Sequence, residues 1–235
     1  RAFGELATAR LLTIAFREGA CLLGSVHIET FPVGPLGCNC SLIVDPSSGA
    51  AFVVDPGGDF AKIRGRLDAL GAKVARIVHT HTHVDHVGAT AELQTATGAP
   101  ASIHEEDRFL YDILAVQSAM LRLPEPVRAD MDGALIDGVT FTAGPLELAV
   151  LHTPGHTPGS CCFLVGTGRE QHLFSGDTLF RRGIGRSDLW GGDGPLLLKS
   201  IREKLLVLEG DAIVVPGHGA RTTIAEERTG NRFLA

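Results

Sequence analysis

Residues 80–86 read Thr-His-Thr-His-Val-Asp-His, three imidazoles and a carboxylate within seven positions. Neutral imidazole and carboxylate are the donors that zinc, iron and manganese accept. His81 and His83, two apart, point the same way in an extended segment. Asp85 and His86 follow at a spacing that can serve a second centre once the chain turns. Three further residues match this chemistry: His156 in Thr-Pro-Gly-His-Thr-Pro-Gly, Asp177 in Ser-Gly-Asp-Thr and His218 in Pro-Gly-His-Gly. Each sits beside Gly or Pro, where a tight turn exposes a side chain at a loop tip. A lone histidine is more often a satisfied surface or core residue than a ligand. Together, five histidines and two aspartates are enough for two metal ions, and a fold for this chain must bring distant turns to one pocket. That combination points to a binuclear metallohydrolase.

The flanking sequence supplies strands to carry such turns. Loose alternation over 26–33 and short apolar runs at 38–44 and 51–54 read as strands, with Asp45-Pro46-Ser47-Ser48-Gly49 as a hairpin connection. Asp59 is the expected N-cap of a helix in which Phe60, Ile63, Leu67 and Leu70 recur at helical spacing, stopped by Gly71. An apolar strand at 74–78 delivers the histidine cluster. Further helices are expected over 87–96, 105–120 and 196–208. Strands are expected at 101–103, 139–142, 146–151, 161–165, 172–174 and 212–215, the last delivering His218. Two halves of strands then helices, with chemistry at strand ends, predict an α/β (α+β) sandwich of four layers, helix–sheet–sheet–helix. No low-complexity linker divides the chain, so residues 25–235 are expected to form one domain, with 1–24 an N-terminal extension.

A net charge of −6 argues against a general nucleic-acid binder, which carries a basic excess. Arg17 and Glu18 interrupt the apolar start, leaving neither a signal-peptide core nor a run of about twenty apolar residues to span a membrane. Cys21, Cys38, Cys40, Cys161 and Cys162 are odd in number and lack the spacing of a zinc ribbon or a disulfide framework. Read as packed free thiols, they suit a reducing compartment, and the expected location is cytoplasmic.

The 80–86 motif, followed in order by His156, Asp177 and His218, resembles the metallo-β-lactamase superfamily. Val54-Asp55-Pro56-Gly57-Gly58, Ser175-Gly176-Asp177-Thr178-Leu179-Phe180 and Gly185-Arg186-Ser187-Asp188 are similar to its glyoxalase II (hydroxyacylglutathione hydrolase) branch. Within that branch the likeness is to short bacterial members lacking the C-terminal helical domain. The resemblance implies the αβ/βα metallo-β-lactamase fold and a ligand assignment. His81, His83 and His156 would hold the first metal; Asp85, His86 and His218 would hold the second; Asp177 would bridge. The implied cofactors are two divalent ions, zinc foremost, with iron and manganese also accepted by these donors. His79 and His152 match no ligand position and are read as supports; His27, His104 and His172 are read as ordinary histidines. Arg186 occupies the place of a basic glutathione contact, whereas Asp188 stands where the family has a tyrosine, so recognition of glutathione itself is not implied.

The implied reaction is hydrolysis of a small anionic thioester such as S-lactoylglutathione by a hydroxide shared between the metals, with Asp85 orienting it as the catalytic carboxylate. Leaving-group chemistry agrees. A thiolate, with a pKa of about 8.5, departs with little help, while an amine must first be protonated. Arg181, Arg182 and Arg186 follow the bridging aspartate, and Arg182 and Arg186 are the expected clamps for a substrate carboxylate. Two other readings within the superfamily stay open. One is a persulfide dioxygenase with a single iron on His81, His156 and Asp177; the other is a lactonase or β-lactamase. A non-enzymatic module with nucleic-acid partners is disfavoured by the negative charge.

Overall fold

The computed structural model of the chain describes residues 26–167 and 170–234. The extension expected over 1–24, with Cys21, lies outside the described residues. Strands β1 (His27–Val33), β2 (Cys38–Val44), β3 (Ala50–Val54), β4 (Lys73–Val78), β5 (Ala101–Ser102) and β6 (Met131–Asp132) pair in chain order in one sheet. β1 to β3 are antiparallel and β3 to β6 parallel. In the second sheet β7 (Thr140–Ala143), β8 (Leu146–His152), β9 (Cys161–Val165) and β10 (His172–Gly176) run antiparallel in sequence. A short ribbon of β11 (Leu179–Phe180) and β12 (Gly183–Ile184) pairs separately. The second sheet then continues with β13 (Ile213–Pro216), parallel to β10, and β14 (Thr222–Thr223) at its edge.

Strands buried on both faces explain why the sequence shows apolar runs instead of clean alternation. In β2, Cys38, Cys40, Leu42 and Val44 face one core while Ile43 faces another. β3 divides likewise, Ala51 and Val53 against Phe52 and Val54. The first core is closed by Ile63 of α1 (Phe60–Ala69), by Leu93 of a second helix, Thr90–Thr97, and by Leu114 of a third, Leu114–Leu121. The middle core lies between the sheets, where Phe52 and Val78 cluster with Val150, Phe163 and Phe174. The last joins Cys162, Leu164 and Val214 to Leu197 and Ile224 on the helices Gly194–Ser200 and Ile224–Gly230. Three cores between four layers make the expected sandwich.

Several elements depart from the local signals. The helix expected over 87–96 is two, α2 (Val84–Val87) and α3 (Thr90–Thr97), because the Ala89 N–H donates to Pro56 O (2.8 Å) outside the first turn. The helix expected over 105–120 is a 3-10 turn (Glu105–Asp107) followed by α4 (Arg108–Asp112) and α5 (Leu114–Leu121), with Ile113 between them at ψ 24°. Buried Asp107 and Gln117 both reach the main chain of residues 82–84, and those contacts override the periodicity. Asp59 precedes α1 with φ 53°, and its carboxylate accepts from Gly34 N–H (3.0 Å) instead of capping the helix. The helix expected over 196–208 is α6 (Gly194–Ser200), N-capped by Asp193, whose Oδ1 accepts from Leu196 N–H (2.9 Å); it widens into a π turn at Ile201–Leu205. A last helix, α7 (Ile224–Gly230), has no counterpart in the sequence expectations.

The motif loops all follow strand C-termini. β4 ends ahead of His81, β8 ahead of His156, β10 ahead of Asp177 and β13 ahead of His218. β8, β10 and β13 share one direction, so their loops emerge on one rim, the usual place for ligands in such sheets. No helix among the described residues is long and apolar enough to cross a membrane.

Candidate metal centre

Three ring nitrogens make a nearly equilateral triangle at this rim. His83 Nδ1 lies 3.0 Å from His81 Nε2 and 3.0 Å from His156 Nε2, and the last two are 3.2 Å apart. Burial lowers the pKa of all three rings, to about 3 for His83, and repulsion from neighbouring imidazoles adds to it for His81 and His83. The rings are therefore neutral near pH 7 and offer lone pairs. Their outer nitrogens fix the tautomers. His156 Nδ1–H donates to Arg186 O (2.7 Å) and His81 Nδ1–H to Thr80 Oγ1 (3.1 Å), while the Thr80 hydroxyl donates to Asp55 Oδ2 (2.6 Å).

Asp85, His86 and His218 form a second group. His218 Nε2 is 3.2 Å and His86 Nε2 3.8 Å from Asp85 Oδ2. Asp177 stands between the groups: its Oδ1 lies 3.6 Å from His86 Nε2 and 3.9 Å from His218 Nε2, and its Oδ2 lies 3.8 Å from His156 Nε2. The same Asp55 Oδ2 accepts from His86 Nδ1–H (3.0 Å), which leaves His86 Nε2 facing the pocket. Burial opposes charge on both His86 and Asp85. Cys38 and the surrounding carboxylates nevertheless hold His86 well above its usual pKa, and the His86 and His218 rings hold Asp85 below its own. The hydrogen bond to Asp85 raises His218.

The donor set suits cations. Buried polar atoms are almost always paired, yet His86 Nε2 and Asp177 Oδ1, which face the pocket, have no hydrogen-bond partner among the described residues. The triangle edges of 3.0–3.2 Å approach the edge of about 3.3 Å for a tetrahedral site with metal–nitrogen bonds of 2.0–2.1 Å. Gly217 is needed for this packing, because a Cβ there would overlap Asp177 Oδ1 and crowd the His86 ring.

Several supporting residues went unassigned in the sequence. Asp55 lies within the Val54–Gly58 segment, whose likeness to the hydrolase branch was the only signal it carried. Gln117 Oε1 accepts from Val84 N–H (3.0 Å) and its amide donates to Thr82 O (3.3 Å). Asn39 Nδ2 donates to Pro216 O (2.9 Å) and Gly219 O (3.0 Å), holding the His218 turn. Neither Gln117 nor Asn39 had a local signal. Cys38 packs as expected, but against the site: its Sγ is 3.5 Å from His86 Nδ1, and burial pushes the thiol to about 12. His79 bridges Ser102 O and Thr90 Oγ1, and His152 Nε2–H donates to Pro158 O (2.8 Å), both supporting contacts. His104, read as an ordinary histidine, is partly buried, stacks on His152 at 3.9 Å and accepts from Glu106 N–H through Nδ1. His104, His152 and Glu106 bring one donor atom each within 4.8 Å of one another, a looser group than the triangle with its edges of 3.0–3.2 Å.

The two expected clamps differ. The Arg182 guanidinium lies over Gly230 of α7, and the Arg182 backbone N–H donates to Glu227 Oε2 (2.8 Å), which gives this residue a structural place away from the expected one. Arg186 stays exposed, paired with Asp188 through two bonds of 2.8 and 2.9 Å.

Comparison with known proteins agrees with this architecture. The sequence profile of the Metallo-beta-lactamase superfamily matches residues 33–218. The chain is 38% identical over 216 residues to hydroxyacylglutathione hydrolase GloC of Haemophilus influenzae, covering 89% of this chain and 98% of that protein. Among solved structures it is similar to the BLEG-1 B3 metallo-β-lactamase, with TM-score 0.82 and 35% identity over 88% of this chain and 99% of that one. A di-iron-bound form of TTHA1623 is similar with TM-score 0.78 and 35% identity over 88% and 100%. With its expected fold, its histidine-rich rim and these relatives, the chain belongs to the metallo-β-lactamase superfamily, as a metal-dependent hydrolase.

Proposed function

We propose that the chain is a binuclear hydrolase of small anionic thioesters, S-lactoylglutathione serving as the test substrate. The observation that carries this reading is Asp177, whose two oxygens face separate donor groups. His81, His83 and His156 would hold one cation and Asp85, His86 and His218 the other, with Asp177 common to both. Zinc, iron and manganese all suit these donors. Kinship to GloC supports the substrate class, and the di-iron form of TTHA1623 supports two cations. The four buried free thiols Cys38, Cys40, Cys161 and Cys162 support a reducing, cytoplasmic setting.

Bound divalent cations supply a Lewis acid for the carbonyl oxygen and lower the pKa of water toward neutrality. The chain's own residues do the rest. Asp55 holds the proton on the outer nitrogen of His86 directly, and of His81 through Thr80, so the inner nitrogens are the ones turned to the pocket. Asp85 keeps an ionised carboxylate at the mouth, where it orients the attacking water. The side chains of Asp85, Asp177 and His218 are 13%, 16% and 29% exposed, so substrate reaches the centre from their side. A thiolate leaving group needs no placed acid. Arg186, beside the site through its carbonyl bond to His156, is the clamp for a substrate anion.

Elemental analysis of protein purified without added metal, paired with S-lactoylglutathione hydrolysis under nitrogen and under air, tests the reading. The expected result is about two metals per chain and equal rates in both atmospheres. A single iron with oxygen consumption would transfer the protein to the dioxygenases. Cleavage of a chromogenic cephalosporin without thioester cleavage would overturn the substrate class.

A further inference from the structure

The two halves of the sandwich supply different corners of the three-histidine triangle. His81 and His83 follow β4 of the first sheet, and His156 lies between β8 and β9 of the second. Triangle edges of 3.0–3.2 Å leave little tolerance between those halves. We propose that Asp107 is a positioning residue that latches the His81–His83 loop to the His156 loop and so sets the size of this pocket.

Its carboxylate is fully buried and touches both loops. Oδ2 accepts from the N–H of Thr82, the residue between His81 and His83 (3.1 Å), and from the hydroxyl of Thr157, the residue after His156 (2.9 Å). Oδ1 accepts from Gly159 N–H (2.6 Å), and the Asp107 carbonyl accepts from the Thr82 hydroxyl (3.0 Å). The chain is packed tightly at the far end, where a Cβ on Gly159 would overlap the Asp107 side chain. None of these donors is a lysine or arginine, so no charge pairing explains a buried carboxylate here, and burying one without compensation is costly.

The donor pattern explains it. Three donors from two loops converge on one short side chain. An apolar residue of similar size would leave the Thr82 and Gly159 N–H groups unpaired, and asparagine would turn its own N–H2 toward a donor. Only a carboxylate of this length accepts from all three. Gln117, by contrast, contacts the first loop and α4 but not the His156 loop, so it cannot register one half against the other.

The inference rests on reading His81, His83 and His156 as metal ligands. Zinc titrated into metal-stripped wild type, Asp107→Asn and Thr157→Val against a chromogenic chelator tests it, with isotope-labelled histidine ring nitrogens followed by NMR. In Asp107→Asn, zinc should bind at His81, His83 and His156 about tenfold or more weakly, while His86 and His218 titrate as in wild type. Thr157→Val keeps the side-chain shape and removes one donor, so it reports on the latch even if Asp107→Asn fails to fold; a loss of about threefold, the worth of one hydrogen bond, is expected at the same three rings. Variants that bind as tightly as wild type there, or that weaken both pockets equally, overturn the latch. If wild type takes up no zinc at those rings, the metal reading falls at that step, and the latch with it.

Discussion

Arg186 and Asp188 hold each other in a two-bond ion pair while both side chains remain largely exposed, 59% and 70%. Asp188 therefore competes with any substrate anion for the guanidinium. Because exposed pairs are weak, Asp188→Ala is expected to lower KM for an anionic thioester by about two- to fivefold. An uncharged thioester should show no change, and equal shifts for both substrates would rule out the clamp. Asp107 sits in the opposite environment. Burial raises its pKa to about 6 against the pull of the Gly159, Thr157 and Thr82 donors and the nearby His152. The unfolded value is about 3.9, so the folded state takes up the proton first. The group's contribution to stability is then fully present below about pH 4 and is lost as pH rises through about 6. Urea unfolding of metal-stripped protein should show a wild-type minus Asp107→Asn difference that falls across this window and flattens above it. A difference that does not vary with pH would contradict the assignment. Both residues were visible in the sequence, but neither environment was, since the partners of Asp107 lie 25 to 52 positions away.

At the scale of elements, strands were legible wherever an apolar run was long enough to be buried on both faces, as in β2, β3 and β9. Helices were less so. The apolar periodicity over 105–120 is real, yet the segment breaks at Ile113 because Asp107 and Gln117 each turn toward the 82–84 loop. α2 is a single turn carrying Asp85 and His86, too short for any periodic signal. The turn after β13 is equally short, and its glycine carries the packing load. Gly217→Ala is expected to displace Asp177 and His86, weakening zinc binding by about tenfold or more, while far-ultraviolet circular dichroism stays that of wild type. Unchanged zinc affinity would show that the turn can relax to admit a methyl group.

At the scale of the whole molecule, the first sheet carries His81, His83, Asp85 and His86, and the second carries His156, Asp177 and His218. Bound cations would therefore tie the halves together and stabilise the fold by mass action. At a free concentration a thousandfold above Kd the gain is about 4 kcal/mol, which for a chain of this size corresponds to a rise in Tm of about 10 °C. Calorimetry before and after chelation, with zinc added back, should show that drop and its recovery; an unchanged Tm would mean that the rim holds its shape without cations. The sequence by itself determined the described strands of four residues or more, the four-layer class and the seven side chains that stand together at the rim, because buried strands and ligand-bearing turns write local, periodic or compositional signals. Only the tertiary structure decided how those side chains are held: Asp55 as the common acceptor, Asp107 between the loops, Arg182 on α7 and Asp188 against Arg186. Apart from that last pair, these contacts join residues tens of positions apart, and such a hydrogen bond leaves no trace in the stretch of chain around either partner.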